Sequence, residues 1–156
     1  MARSEFPEVE SRLRLAAFFA RAMIAELGKE RAMEIIARAY QEYANHDMAA
    51  LVEGVAGEEE RFAKLIEWQR DLASKRPEIK IIEASPRRLA VEIHTCRNYE
   101  VYKQYGVAEV CQKYCDADFA AAKVVSPRVT LTRTMEIAYG APYCNHCWTL
   151  EDWPQP

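Results

Sequence analysis

Ile79-Lys80-Ile81-Ile82-Glu83, then Ser85-Pro86-Arg87-Arg88, then Leu89-Ala90-Val91-Glu92-Ile93-His94 is the stretch in which the hydrophobic period of this chain changes. The first run is short and β-branched, which suits a strand. The middle run has turn chemistry. In the third, Leu89, Val91 and Ile93 alternate with Ala90, Glu92 and His94, the period-two pattern of a half-buried strand. Two such runs across a short turn read as an antiparallel hairpin.

Upstream of the hairpin the period is helical. Ser4 is placed to cap a first helix with Pro7 in its opening turns, and Leu13, Ala16, Ala17, Ala20, Ile24 and Leu27 recur at spacings of three and four. Gly28 reads as its stop. A second helix restarts near Lys29 with Ala32, Ile35, Ile36, Ala39, Tyr40 and Tyr43 inward, and Asn45 and Asp47 are expected to break it before a short piece from Met48 to Val55. A third runs from Glu58 through Phe62, Leu65, Ile66 and Leu72, with Pro77 ending it.

Downstream, helical spacing returns from Asn98 to about Lys123, in two pieces broken at Gly106. Ser126-Pro127 resets the chain. Val129, Leu131, Arg133, Met135 and Ile137 alternate as a third strand, Gly140-Ala141-Pro142 reads as a turn, and Tyr143 to Thr149 as the last strand. The expected fold class is α+β: N-terminal helices followed by a ββ-α-ββ antiparallel sheet, with helices packed on one face. One domain is expected over residues 1–156, with a helical half, 1–76, and a sheet and cysteine-bearing half, 77–156.

Composition narrows the function classes. Half of the 156 residues are hydrophobic and 29% are charged, so a packed globule is favoured over disorder. With 21 basic and 24 acidic residues the net charge is −3, which gives no electrostatic reason to expect nucleic acid. No secretion signal is visible in Met-Ala-Arg-Ser-Glu-Phe-Pro-Glu. The apolar stretch from Leu15 to Leu27 is interrupted by Arg21 and Glu26, so no membrane span is expected. A cytoplasmic address follows, where Cys96, Cys111, Cys115, Cys144 and Cys147 are reduced thiols by default.

Those cysteines cluster with other reactive groups. Cys111, Cys115 and Asp118 share one face of a helix. Cys144 and His146 share one face of the last strand, while Cys147 points the other way, and His94 and Cys96 share a face if the second strand extends that far. Core filling competes with function for each thiol, most of all for Cys111. Arg133 falls on the apolar side of its alternation, and a buried guanidinium demands an anion. Asp118 or a substrate carboxylate could supply it, with Glu136 expected on the opposite face. Zinc is the metal alternative, with Cys111, Cys115, Cys144 and Cys147 as ligands, although the strand pleat separates the last two.

The second half resembles a known family. Cys96-Arg97-Asn98-Tyr99, Tyr105-Gly106-Val107, Tyr114-Cys115-Asp116-Ala117-Asp118, Leu131-Thr132-Arg133-Thr134, Gly140 and Cys144 occur in that order. This set is similar to the L-2-amino-thiazoline-4-carboxylic acid hydrolase family, to which Leu27-Gly28-Lys29-Glu30-Arg31-Ala32 adds a helix break of the same kind. Cys111 and Cys147 are additions to the pattern. The resemblance implies a hydrolase that opens a thiazoline ring on a small carboxylated substrate and yields an N-carbamoyl amino acid. No cofactor is expected, with zinc as the alternative.

Such chemistry needs attack at an electron-poor carbon and protonation of the departing group. A thiolate suits the attack once a nearby cation lowers its pKa. Cys115 or Cys144 is the expected nucleophile, His146 the proton-transfer group, Asp118 the orienter or water-directing base, Arg133 the carboxylate clamp, and Cys96 a pocket-lining residue. The competing expectations are a non-catalytic sensor or binding domain for a small molecule or a metal, zinc or iron, and an interaction domain presenting Phe18, Phe19 and Trp68. A homo-oligomer is left open.

Overall fold

The computed structural model describes residues 5–152. Ser4 and Trp153 lie outside them. α1 (Pro7–Leu27) has Pro in its first turn and buries Val9, Leu13, Ala17 and Ala20. Gly28, at φ 79°, turns the chain directly into α2 (Lys29–Leu51), a backbone conformation that favours glycine. α2 does not break at Asn45 and Asp47. Gln41 Nε2 donates to Asn45 Oδ1 at 2.9 Å one turn along, and Gln41 also reaches the Ala117 carbonyl of a neighbouring helix. The helix cost of Asn and Asp is only a fraction of a kcal/mol, roughly 0.7 at most, so packing overrides it.

α3 (Glu58–Lys75) begins with three glutamates, which suit the positive end of the helix dipole. β1 (Ile79–Ser85) and β2 (Arg88–Ile93) form the expected hairpin across Pro86-Arg87. Its register shifts between Ile81 and Glu83, a bulge that turns Ile82 out to solvent and brings Ala84 onto the core face beside Leu89. β2 ends at Ile93, so His94 and Cys96 do not share a strand face. Cys96 instead caps α4 (Arg97–Gln104), which Gly106 separates from α5 (Val110–Val125).

β3 (Val129–Thr132) is shorter than its alternating pattern suggests. The Asn145 side chain displaces the continuing ladder. Its Oδ1 accepts the N–H groups of Thr134 and Met135 at 2.9 and 2.8 Å, and its Nδ2 donates to Thr134 Oγ1. The chain then leaves the sheet for a 3-10 turn at Ile137–Tyr139. β4 (Cys144–Leu150) lies between β2 and β3, giving an antiparallel sheet in the order β1-β2-β4-β3.

α3 and α5 cover one face of the sheet, burying Phe62, Leu65, Leu89, Val91, Val129 and Leu150. α1, α2 and α4 gather around the first half of α5 in a second apolar cluster that includes Val101, Tyr102, Cys111 and Cys115. α5 therefore belongs to both cores, and the functional groups lie along the seam between them. No helix among the described residues is long and apolar enough to cross a membrane.

Candidate functional site

A cleft of about 350 Å3 opens on this seam, within the usual range of small-molecule pockets. Cys96, Cys115, Asp118, Cys144 and His146 all line it. Each arrives by its own local rule. Cys96 is the N-cap of α4, with extended backbone and with Sγ accepting the Tyr99 N–H at 3.4 Å. Arg97 holds that helix end in place by a two-pronged ion pair with Glu78. On α5, Cys111, Cys115 and Asp118 follow at spacings of four and three and so share a face. On β4, alternation turns Cys144, His146 and Trp148 toward the helices.

Cys147 faces the other side of the sheet, beside Thr149. The four-thiol set of Cys111, Cys115, Cys144 and Cys147 is therefore not assembled. Among the described residues no group of three or more His, Cys, Asp or Glu is placed to hold a metal ion.

Arg133 lies behind the cleft wall with its side chain wholly buried. Its guanidinium donates to the Cys115 carbonyl at 2.7 Å and to Asp118 Oδ2 at 3.2 Å, and it packs over the Phe119 ring. Glu136 is also within 3.4 Å, which corrects its expected placement on the opposite face, because the strand has already ended. Arg133 Nη1 sits 3.4 Å from His146 Nε2. An arginine only donates, so Nε2 accepts and the imidazole is neutral with its proton on Nδ1.

The electrostatics separate these groups. Burial pushes Asp118 up to about 6, against the pull of Arg133, although about a third of its side chain still opens to the cleft. Burial and then Arg133 drive His146 down to about 3. Burial raises Cys144 to about 11, only partly opposed by the Ile137 N–H on its sulfur at 3.2 Å. Cys96 moves the other way: the Cys111 thiol, 4.0 Å distant, and the N–H groups of Tyr99 and Asn98 lower its pKa. Cys111, also 3.9 Å from Cys115, is raised by both neighbours and keeps its proton to donate.

Sequence reasoning missed Arg12. It projects from α1 to the cleft mouth, where it donates to Asn98 Oδ1 at 3.3 Å beside the start of α4. A lone exposed arginine on an amphipathic helix carries no signal in the sequence, since only the packing of α1 against α4 brings it here.

The model of the L-2-amino-thiazoline-4-carboxylic acid hydrolase family matches residues 9–148. This chain belongs to that family. The match spans both cores, so the likeness seen at Cys96, Cys115-x-x-Asp118, Arg133-Thr134 and Cys144 extends over the helices as well. No curated protein is significantly similar to the chain. Among solved structures this family member is similar to the phenol-responsive sensory domain of the transcription activator PoxR with phenol, at a TM-score of 0.52 and 11% identity, over 96% of this chain and 76% of that one. At that identity the likeness is one of fold.

Proposed function

We propose that the chain hydrolyses a small carboxylated thiazoline-type ring in this cleft, with Cys96 as nucleophile and Asp118 as the group that moves protons and directs water. The observation that carries this reading is the position of Cys96: its sulfur caps α4 inside the cleft that Asp118 also lines, with the Tyr99 N–H and the Cys111 thiol turned to it. A helix N-terminus and a thiol donor favour the thiolate. Cys144, raised by burial, and His146, neutral with Nε2 already occupied, suit the expected nucleophile and proton-transfer roles less well.

The ring carbon between nitrogen and sulfur accepts the Cys96 thiolate. The bond from that carbon to the ring sulfur breaks, and the sulfur departs as a thiolate that receives the proton Asp118 draws from water in the next step. Water, deprotonated by Asp118, then attacks the same carbon of the enzyme-bound isothiourea. Cys96 leaves as thiolate, and the product is the N-carbamoyl amino acid. Arg12 with Asn98 is the carboxylate anchor at the mouth, a role that Arg133 fits less well because protein partners occupy its guanidinium.

The test is turnover of L-2-amino-thiazoline-4-carboxylic acid, followed as N-carbamoyl-cysteine, by wild type and by single alanine variants of Cys96, Cys115 and Cys144. Loss in Cys96→Ala alone supports the reading; full activity in that variant removes it. The second reading is a non-catalytic small-molecule sensor. It draws on the fold shared with a phenol-responsive domain and on the aromatic rings that border the cleft. Stoichiometric phenol binding with no turnover would favour it.

A further inference from the structure

Asp118 lines two cavities. Besides the cysteine cleft it borders a second space of about 310 Å3, and Tyr43, Asp47, Met48, Trp68 and Tyr114 are common to both, so one continues into the other. The walls of the second space are aromatic. Tyr40 and Tyr114 meet edge to face with centroids 5.3 Å apart, and the Tyr40 hydroxyl is tied to that of Tyr102 in the helical core. Trp68 and Tyr43 complete the ring, each with about two-fifths of its surface open, 41% and 42%. Asp47 and Asp118 are the charged groups among the described residues of the lining. Arg133, behind Asp118, holds that carboxylate at 3.2 Å, so Asp47, with more than half of its side chain exposed, is the carboxylate open to a ligand.

Aromatic faces beside an open carboxylate form an environment for a cation with a flat or apolar body. On the ring-opening reading, a bare amino-thiazoline carboxylate has its ring carbon at Cys96 and its carboxylate at Arg12, both in the cysteine cleft, and makes no use of the aromatic space. We propose that this aromatic compartment binds the cationic, apolar-bodied end of a larger substrate: an aryl- or alkyl-substituted amidinium or isothiouronium nitrogen seated on Asp47 between the rings of Trp68, Tyr43 and Tyr114. The proposal rests on the ring-opening reading for the direction in which the substrate lies, but its test does not use turnover.

The test is calorimetric titration of the full chain with three isosteres: benzamidine as the cation, benzamide as the neutral amide and benzoate as the anion. Benzamidine is expected to bind at least about tenfold more tightly than benzamide, the scale of one charge-assisted contact, and benzoate most weakly. Trp68→Ala is expected to weaken benzamidine by about 3- to 30-fold, the range of a desolvated cation–π contact. Asp47→Asn should remove the preference for benzamidine over benzamide. Ile82→Ala, turned out to solvent at the bulge of β1, should change nothing. Equal affinities for benzamidine and benzamide, or an unaltered Trp68→Ala, would overturn the proposal. A benzamidine preference in a protein that turns over no thiazoline upholds the compartment and removes the hydrolase reading instead.

Discussion

Replacing Arg133 with methionine separates a structural tie from a substrate clamp. The guanidinium is wholly buried and answers two carboxylates, Asp118 at 3.2 Å and Glu136 at 3.4 Å, as well as the Cys115 carbonyl. Removing one partner of a buried ionic cluster while its anions stay behind costs about 3–5 kcal/mol. For a chain of this length each kcal/mol shifts the melting temperature by about 2–4 °C, so Arg133→Met is expected to melt roughly 6–20 °C below wild type. The deficit depends on pH. The folded pKa of Asp118, about 6, lies above the roughly 3.9 of an unfolded aspartate, so the native state holds the proton through that window. Asp118 therefore weakens the fold as pH rises from about 4 to 6, and Arg133 is the group that limits this penalty. Without Arg133 the pKa rises further and the penalty grows at pH 8. At pH 5 the carboxyl is protonated in both proteins and the difference narrows. Thermal unfolding followed by circular dichroism at pH 5 and pH 8 reads both effects. A deficit under about 1 kcal/mol at pH 8, or one that widens at pH 5, refutes the reasoning. A raised KM with unchanged melting would restore the substrate-clamp role.

Arg12→Gln is expected to raise KM for a carboxylated substrate by about 10- to 100-fold at constant kcat and melting temperature, because it removes one exposed charge-assisted contact; steady-state kinetics check this. The pH profile of kcat/KM should rise with pH through about 6 as Asp118 loses its proton, and His146, near 3, should add no limb between pH 5 and 9. Iodoacetamide at pH 7 should alkylate Cys96 first and spare Cys144, with peptide mass mapping as the readout. Cys111→Ala should slow that alkylation several-fold, because it removes the thiol donor that favours the Cys96 thiolate, while the void left in the core lowers the melting temperature.

Much of this architecture is legible because it follows from period and punctuation. The hairpin at Ile79–Ile93 declares itself by alternation, α3 by its spacing and by Pro77, and the inward set of Cys144 and His146 by the pleat. Three misreadings have tertiary causes. Asn45 and Asp47 look like a breaker, but packing against α5 carries α2 past them. The alternation through Ile137 looks like strand, yet Asn145 takes over the hydrogen bonds of Thr134 and Met135. Cys96 looks like the end of a strand and proves to be a helix cap. That last difference changes the chemistry, because sequence spacing cannot report the dipole and amide environment of a sulfur. Nor could any periodicity bring Arg12 across to Asn98.

Trapping a covalent adduct on the protein tests the proposed nucleophile most directly. Wild type is mixed with L-2-amino-thiazoline-4-carboxylic acid, quenched in acid within the first turnovers, and measured by intact and peptide mass spectrometry. Ring opening by addition retains every substrate atom, so the adduct should carry the full mass of the substrate and map to the peptide bearing Cys96. An adduct on Cys115 or Cys144, or product formation by the Cys96→Ala protein at the wild-type rate, would contradict it.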